Sequence, residues 1–186
     1  MTSSLTTPAP AVIENSAVAA EQSTLIDGLT DFERAELEKW LARYPDDQRQ
    51  SAVLAALRAV MHEDHYLSVA KMDAVAAYLG MPAIAVYEVA SFYSMFELDE
   101  KNAARHSVSV CTNVSCMLRG SDEILAHIEN RLGVRLGETT PDKRFYLKRE
   151  EECLAACCGA PMMQVNHVYY TDLTPEKVDD ILGGLE

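Results

Sequence analysis

The chain has 186 residues, of which 48% are hydrophobic, and it carries a formal net charge of −13 with a pI of about 4.7. This length and composition allow one ordinary core with a small helical appendage. A surface this acidic repels phosphate backbones and anionic lipid headgroups, so neither nucleic acid nor a membrane is expected as a partner. No apolar run approaches the roughly 20 residues that a membrane-spanning helix needs.

The N-terminal segment lacks the features of a targeting sequence. No Lys or Arg precedes Arg34, whereas Glu14, Glu21 and Asp27 are acidic, which argues against a secretory signal or an Arg-rich transit peptide. We therefore expect a cytoplasmic protein. Because thiols stay reduced in that compartment, clustered cysteines there indicate a metal or redox site.

The first part of the chain is predicted to be helical after a tail. Residues 1–29 are rich in Ser, Thr, Ala and Pro without a hydrophobic period, which predicts a flexible tail. Thr30 and Glu33 fit a capping box that opens the first helix. Hydrophobic periods and stop signals predict three more helices, at 51–62, at 69–79 between Ser68 and Gly80, and from Pro82 through Phe96. We expect a small bundle over residues 30–104.

From residue 105 the pattern changes to short strands. A strand over 105–111 is followed by a helix over 121–132, for which Ser121 is the expected cap, and by a strand over 144–148. A hairpin with Asn166-His167 at its turn and a last helix from Pro175 complete the chain. The predicted class is α+β: a helical bundle followed, over residues 105–186, by a thioredoxin-like α/β domain.

All five cysteines lie in the second half. Cys111 and Cys116 are spaced C-x4-C, and Cys153 and Cys157 are spaced C-x3-C, with Cys158 next to Cys157. Each pair follows a predicted strand. Adjacent parallel strands would bring the two loops together at one edge of the sheet, so four thiolates can converge there.

The spacing favours a [2Fe–2S] cluster but leaves alternatives open. Structural zinc prefers C-x2-C turns, which are absent, and a thioredoxin-like dithiol would show C-x-x-C. A [2Fe–2S] cluster is larger and needs two thiolates per iron, and plant-type ferredoxins use C-x4-C. Zinc and thiol–disulfide chemistry remain alternatives at this point. Adjacent cysteines point in different directions, so Cys158 is expected to be an ordinary free thiol rather than a ligand.

Two sets of motifs resemble a known family, the thioredoxin-like [2Fe–2S] subunit (NuoE type) of respiratory NADH:quinone oxidoreductase, complex I. Those around the cysteines read CTNVSC at 111–116, ECLAAC at 152–157 and APMM at 160–163. In the helical half, YLGMP at 78–82 is followed by VYEVASFY at 86–93. The resemblance spans about residues 30–184.

The resemblance implies a function and a setting. Carried over by position, the cluster ligands are Cys111, Cys116, Cys153 and Cys157, which hold one [2Fe–2S] cluster per chain. The chain would transfer electrons beside the FMN- and NADH-binding subunit, with other iron–sulfur subunits, in a peripheral arm on the cytoplasmic side of the inner membrane. It would act as part of an oxidoreductase, without turnover by the isolated chain. Related subunits serve NAD-dependent hydrogenases and formate dehydrogenases.

The chain departs from the family at two places where glycine is common. One is His65, before Tyr66-Leu67, and the other is the Ala155-Ala156 pair between Cys153 and Cys157. A further hypothesis concerns Glu150–Glu152, because carboxylates beside Cys153 oppose an added electron and predict a low reduction potential.

Two unrelated functions compete with this interpretation. Short helices around Gly80-Met81-Pro82 resemble a helix-turn-helix, but acidic residues outnumber basic ones over 1–105, which argues against DNA binding. A zinc-stabilised adaptor domain is the more distant alternative.

Overall fold

The computed structural model describes residue 26 and residues 28–149 and 153–185. Most of the tail predicted over 1–29 therefore lies outside the described residues, as does the acidic run Glu150–Glu152. Leu29 is described and is only 4% exposed, because it packs into the helical core.

The first part of the described chain is helical. Its elements are α1 (Asp31–Leu41), a 3₁₀ helix (Asp46–Ala52), α2 (Val53–Asp64), α3 (Val69–Leu79) and α4 (Ala83–Phe92). The predicted capping box is confirmed: the Thr30 hydroxyl accepts from the Glu33 N–H at 3.3 Å, and the Glu33 carboxylate accepts from the Thr30 N–H at 2.7 Å. Ser68 caps α3, and Gly80 ends it with a left-handed φ of 71°.

The helices bury one apolar core and one ion pair. Side chains on facing helix surfaces form this core, among them Leu37, Leu57, Val60, Val75 and Val86. Glu33 is fully buried beside it, and both of its carboxylate oxygens accept from the Lys71 ammonium at 2.7 Å. This ion pair ties the start of α1 to α3. Phe96 was expected to continue α4, but the helix ends at Phe92 and Phe96 reaches the core from the following loop.

The second part of the described chain is built on a five-stranded mixed sheet. Its strands are β1 (His106–Val110), β2 (Glu138–Thr139), β3 (Phe145–Leu147), β4 (Met163–Val165) and β5 (Val168–Tyr170), in the order β2-β3-β1-β4-β5. β1 and β3 are parallel, with Ser107 opposite Tyr146, and the other neighbouring pairs are antiparallel. Mixed helix and sheet in this order confirms the predicted fold class.

One face of the sheet is covered by helices. The helices of this part are α5 (Val114–Met117), α6 (Ser121–Leu132) and α7 (Pro175–Gly184). Val108, Leu147 and Met163 are fully buried and form a second core with Ile128 of α6 and Val178 of α7. Since strand side chains alternate, Ser107, Ser109, Tyr146 and Gln164 belong to the opposite, polar face.

Local predictions hold in most places and fail at one cap. The hairpin turn is confirmed, because Asn166 and His167 both have positive φ, 47° and 72°, as a type I′ turn requires. Ser121 is not a cap: Gly120 occupies that position, and the Ser121 hydroxyl is buried without a hydrogen-bond partner in the part of the chain described. Across that same part, no helix is both long and apolar enough to cross a membrane.

Candidate metal centre

The parallel pairing of β1 and β3 brings the two cysteine segments together. Cys111 directly follows β1, and Cys116 lies in the short helix α5 that comes next. Cys153 follows β3 in sequence, and Cys157 begins a 3₁₀ helix, Cys157–Gly159. Because parallel strands end at the same edge of a sheet, both segments meet there, as the sequence predicted.

The four thiols differ in depth and contact one another in series. Cys111 and Cys116 are each 1% exposed, whereas Cys153 and Cys157 are exposed. The Cys111 thiol hydrogen-bonds with those of Cys116 and Cys153. The Cys153 and Cys157 sulfurs lie 3.7 Å apart. The site therefore has an inner pair on the strand and α5 and an outer pair on the later loop.

Each of these sulfurs also has a hydrogen-bond donor from the surrounding chain. The backbone N–H groups of Asn113 and Leu154 donate to Cys111, and that of Met162 donates to Cys116. The Ala155 N–H donates to Cys153 Sγ at 3.4 Å. The Ser115 hydroxyl donates to Cys157. Donors of this kind stabilise negative charge on sulfur.

The thiols influence each other's ionisation. Burial raises the pKa of Cys111, but the N–H groups of Leu154 and Asn113 and the adjacent thiols outweigh burial and lower it overall. Burial, followed by the hydrogen bond to Cys111, raises the pKa of Cys116 to about 11. The hydrogen bond and charge of Cys153 raise the pKa of Cys157. Ionisation of one thiol therefore opposes ionisation of its neighbours.

This donor set fits an iron–sulfur centre. Four crowded thiolates require a cationic centre to offset their mutual repulsion, and their arrangement in two pairs suits a cluster with two thiolates on each iron. Within the described ranges, no three or more His, Cys, Asp or Glu side chains are arranged around a position for a single metal ion.

Cys158 is exposed. Among the described residues it has no hydrogen bond with the four clustered thiols. Its placement agrees with the expectation of an ordinary free thiol.

The loop carrying the outer pair is fixed by features that the sequence reasoning did not identify. Ala155 has a left-handed φ of 59°. Gly159 lies against Thr171, where an added Cβ would be 2.4 Å from the Thr171 Cβ. The Asp172 N–H donates to the Gly159 carbonyl at 2.8 Å, which joins this loop to the segment after β5. A glycine directly after the cysteine pair was the available signal for this close contact.

The surface around the site is apolar on one side. Val114, Met117 and Leu118 are 60%, 47% and 76% exposed, and they lie between or just beyond the inner cysteines. We call these three residues the α5 patch. Their sequence position places a hydrophobic surface beside the candidate centre.

A separate cavity of about 530 Å³ lies between α2 and the polar face of the sheet. Arg58 and His62 line it from α2, and Ser109 and Gln164 line it from the strands. Leu154 also contributes to its wall, while the Leu154 backbone N–H donates to Cys111. The cavity is thus next to the cysteine site but distinct from it.

Comparison with known proteins gives a consistent result. The family model for the thioredoxin-like [2Fe-2S] ferredoxin matches residues 37–186. An NADH-quinone oxidoreductase component from Rickettsia conorii is 43% identical over 150 residues, which cover 80% of this chain and 88% of that protein. A protein of the same description from Rhizobium meliloti is 43% identical over 149 residues, covering 80% of this chain and 86% of that protein. A mitochondrial protein of Dictyostelium discoideum, "NADH dehydrogenase [ubiquinone] flavoprotein 2", is 43% identical over 151 residues, 81% of this chain and 60% of that one.

Solved structures show the same fold. A chain of an NAD+-reducing [NiFe]-hydrogenase in the H2-reduced state superposes with a TM-score of 0.62 at 18% identity, covering 72% of this chain and 22% of that chain. At this identity the likeness concerns the fold alone. The family model and the relatives confirm the resemblance predicted from the two sets of motifs. The chain belongs to the thioredoxin-like [2Fe–2S] ferredoxin family.

Proposed function

We propose that this chain is the electron-transfer subunit of an NADH:quinone oxidoreductase and holds one [2Fe–2S] cluster through Cys111, Cys116, Cys153 and Cys157. The observation that carries the proposal is the convergence of these four thiols at the carboxyl ends of β1 and β3. Relatives that are 43% identical over 80% of the chain carry the name of that oxidoreductase. The isolated chain performs no turnover.

The bound cluster would supply the capacity to accept and release one electron at a time. The protein residues create the environment for it. Cys111 and Cys116 are buried and keep water from the inner side of the site. The backbone N–H groups of Leu154 and Met162 and the Ser115 hydroxyl stabilise negative charge on the sulfurs.

The partner in this proposal is the FMN- and NADH-binding subunit of the same complex, accompanied by other iron–sulfur subunits. The exposed α5 patch supports this, because a hydrophobic surface beside the site is suited to permanent association with another subunit. The complex places the chain in a peripheral arm on the cytoplasmic side of the inner membrane. The hydrogenase likeness concerns only the fold, so an NAD-linked hydrogenase is the second candidate.

The domain division belongs to the proposal as well. Two separate buried cores support a helical bundle over residues 30–104 and a [2Fe–2S] domain over 105–186. The first core runs from Leu29 to Phe96, and the second runs from Val108 to Leu182.

Metal content and spectroscopy of the full chain test the cofactor and its ligands. We expect about two irons and two sulfides per chain and an EPR signal after dithionite reduction. Single Cys→Ser substitutions at the four ligand positions should each disrupt this signal. Cys158→Ser is the matched control and should leave it unchanged. A colourless protein that binds zinc stoichiometrically would overturn the proposal.

The partner is tested in the intact complex. Leu118→Asp should reduce co-purification of the flavin-containing subunit, because it puts a charge into the α5 patch, while the iron content of the chain stays the same. Val168→Asp is the control, since Val168 is 55% exposed on β5. Mass spectrometry of the co-purifying chains identifies the complex. Recovery of hydrogenase subunits instead would favour the second candidate.

A further inference from the structure

One side chain stands out among the donors to the four sulfurs. In the described part of the chain, the donors to Cys111, Cys116 and Cys153 from outside the cysteine set are backbone N–H groups. The donor to Cys157 is the hydroxyl of Ser115. A backbone donor is present whatever the residue type, with proline as the exception. The contact to Cys157 therefore depends on the residue type at position 115.

Ser115 connects the two cysteine segments. It is half-buried in α5, directly before Cys116 of the inner pair, and its hydroxyl reaches Cys157 of the outer pair. Cys157 lies at the exposed side of the site. The hydroxyl thus fixes an exposed ligand sulfur from a residue of the buried segment.

The energetic effect of such a contact has a definite sign. A hydrogen bond to sulfur becomes stronger as the sulfur becomes more negative, because charge-assisted hydrogen bonds are stronger than neutral ones. The Ser115 hydroxyl therefore stabilises the Cys157 sulfur more when the centre is reduced than when it is oxidised. Hydrogen bonds to the sulfurs are one of the factors that set the reduction potentials of iron–sulfur proteins.

We infer that Ser115 is a positioning residue whose hydroxyl holds the Cys157 sulfur and raises the reduction potential of the centre. The inference rests on the proposed function, since it assumes a cluster bound at Cys157. It adds a residue that distinguishes the potential of this centre from that of a chain with an apolar residue at the same position.

Three substitutions in the full-length, cluster-loaded chain test the inference. Ser115→Ala removes the hydroxyl. Ser115→Thr and Ser115→Val have nearly the same shape and differ in whether they retain it. Ser91→Ala in α4 is a control for the loss of a serine hydroxyl elsewhere. The readouts are iron and sulfide content and the midpoint potential from an EPR-monitored redox titration.

We expect a lower midpoint potential in the Ala and Val variants and a near-parental value in the Thr and Ser91→Ala proteins, with full iron content in all. Loaded Ala and Val variants with the parental potential would overturn the inference while leaving the proposed function intact. If the Ala variant fails to retain iron, the comparison of Val with Thr decides in the same way. A parental chain without iron and sulfide would overturn the proposed function and, with it, this inference.

Discussion

The backbone N–H of Ala155 donates to the sulfur of Cys153 at 3.4 Å, and Ala155 makes this contact with a φ of +59°. The left-handed backbone turns the chain so that the amide points back at the preceding cysteine. A residue with a Cβ has a cost of about 1 kcal/mol in this conformation. The outer pair of cysteines is therefore held by a strained turn.

Replacing Ala155 with glycine should relieve that strain. We expect Ala155→Gly to stabilise the protein by roughly 0.5 kcal/mol, because the glycine gains in the turn but loses more entropy on folding. The matched control is Ala156→Gly, where φ is −122° and no such relief exists, so a loss is expected. Urea unfolding of both variants provides the measurement. Equal effects of the two substitutions would show that the Ala155 backbone is not strained.

Gly159 is expected to tolerate no side chain. In Gly159→Ala the new Cβ would lie 2.4 Å from the Thr171 Cβ, and overpacking of this kind costs about 1–3 kcal/mol. Thr171→Gly should partly restore stability in the double variant, because it removes the clashing atoms. Gly184→Ala is the control, since nothing lies within 4 Å of a Cβ at that position. Thermal unfolding measures all four proteins, and an unchanged Tm for Gly159→Ala would contradict the packing described.

The buried ion pair between Glu33 and Lys71 should be sensitive to the loss of its cation. Lys71→Met leaves a fully buried carboxylate with the Thr30 N–H as its remaining donor, and we expect a loss of about 3–5 kcal/mol. Lys39→Met removes the cation of an exposed pair with Glu36 and should cost at most about 1 kcal/mol. Denaturant unfolding compares the two. Similar losses in both variants would count against an important role for the buried pair.

Stability should decline at high pH in a way that depends on Tyr146. Burial, followed by the charge of Glu97, raises the pKa of Tyr146 to about 12, whereas the unfolded chain has a value near 10. The folded state thus favours the neutral phenol. Its contribution to stability is complete below pH of about 10 and is lost as the pH rises through about 12.

Tyr146→Phe should therefore weaken the fall in stability between pH of about 10 and about 12. Part of the fall remains, because burial and Glu38 also raise the pKa of Tyr78 to about 12. The control is Tyr169→Phe, which changes a side chain that is 51% exposed. Denaturant midpoints across this pH range give the slopes. A slope unchanged by Tyr146→Phe would contradict the assignment.

The sequence predicted the main architecture because its signals are local. Capping by Thr30 and Ser68, the stop at Gly80 and the turn at Asn166-His167 each depend on a few adjacent residues. The convergence of the cysteines followed from a general rule about parallel strands. The helix α5 and the two-residue strand β2 were missed, since elements this short have no recognisable period.

The details of the site depend on contacts between distant residues. The clash that excludes a side chain at Gly159 arises from Thr171, and the Ser115 hydroxyl reaches Cys157; neither pairing has a sequence signature. Two departures from the family's glycines did carry information. His65 and Ala155 both have a φ of 59°, so each departure marks a position where the backbone favours glycine.

The parallel pairing of β1 with β3 also determines when the site can exist. The inner and outer cysteine pairs are separated along the chain by α6, β2 and β3, and in an unfolded chain nothing holds them near each other. They become neighbours only once β3 has docked on β1. Incorporation of a four-cysteine centre must therefore follow closure of this long loop, which makes cofactor loading a late event in maturation and a reporter of correct folding.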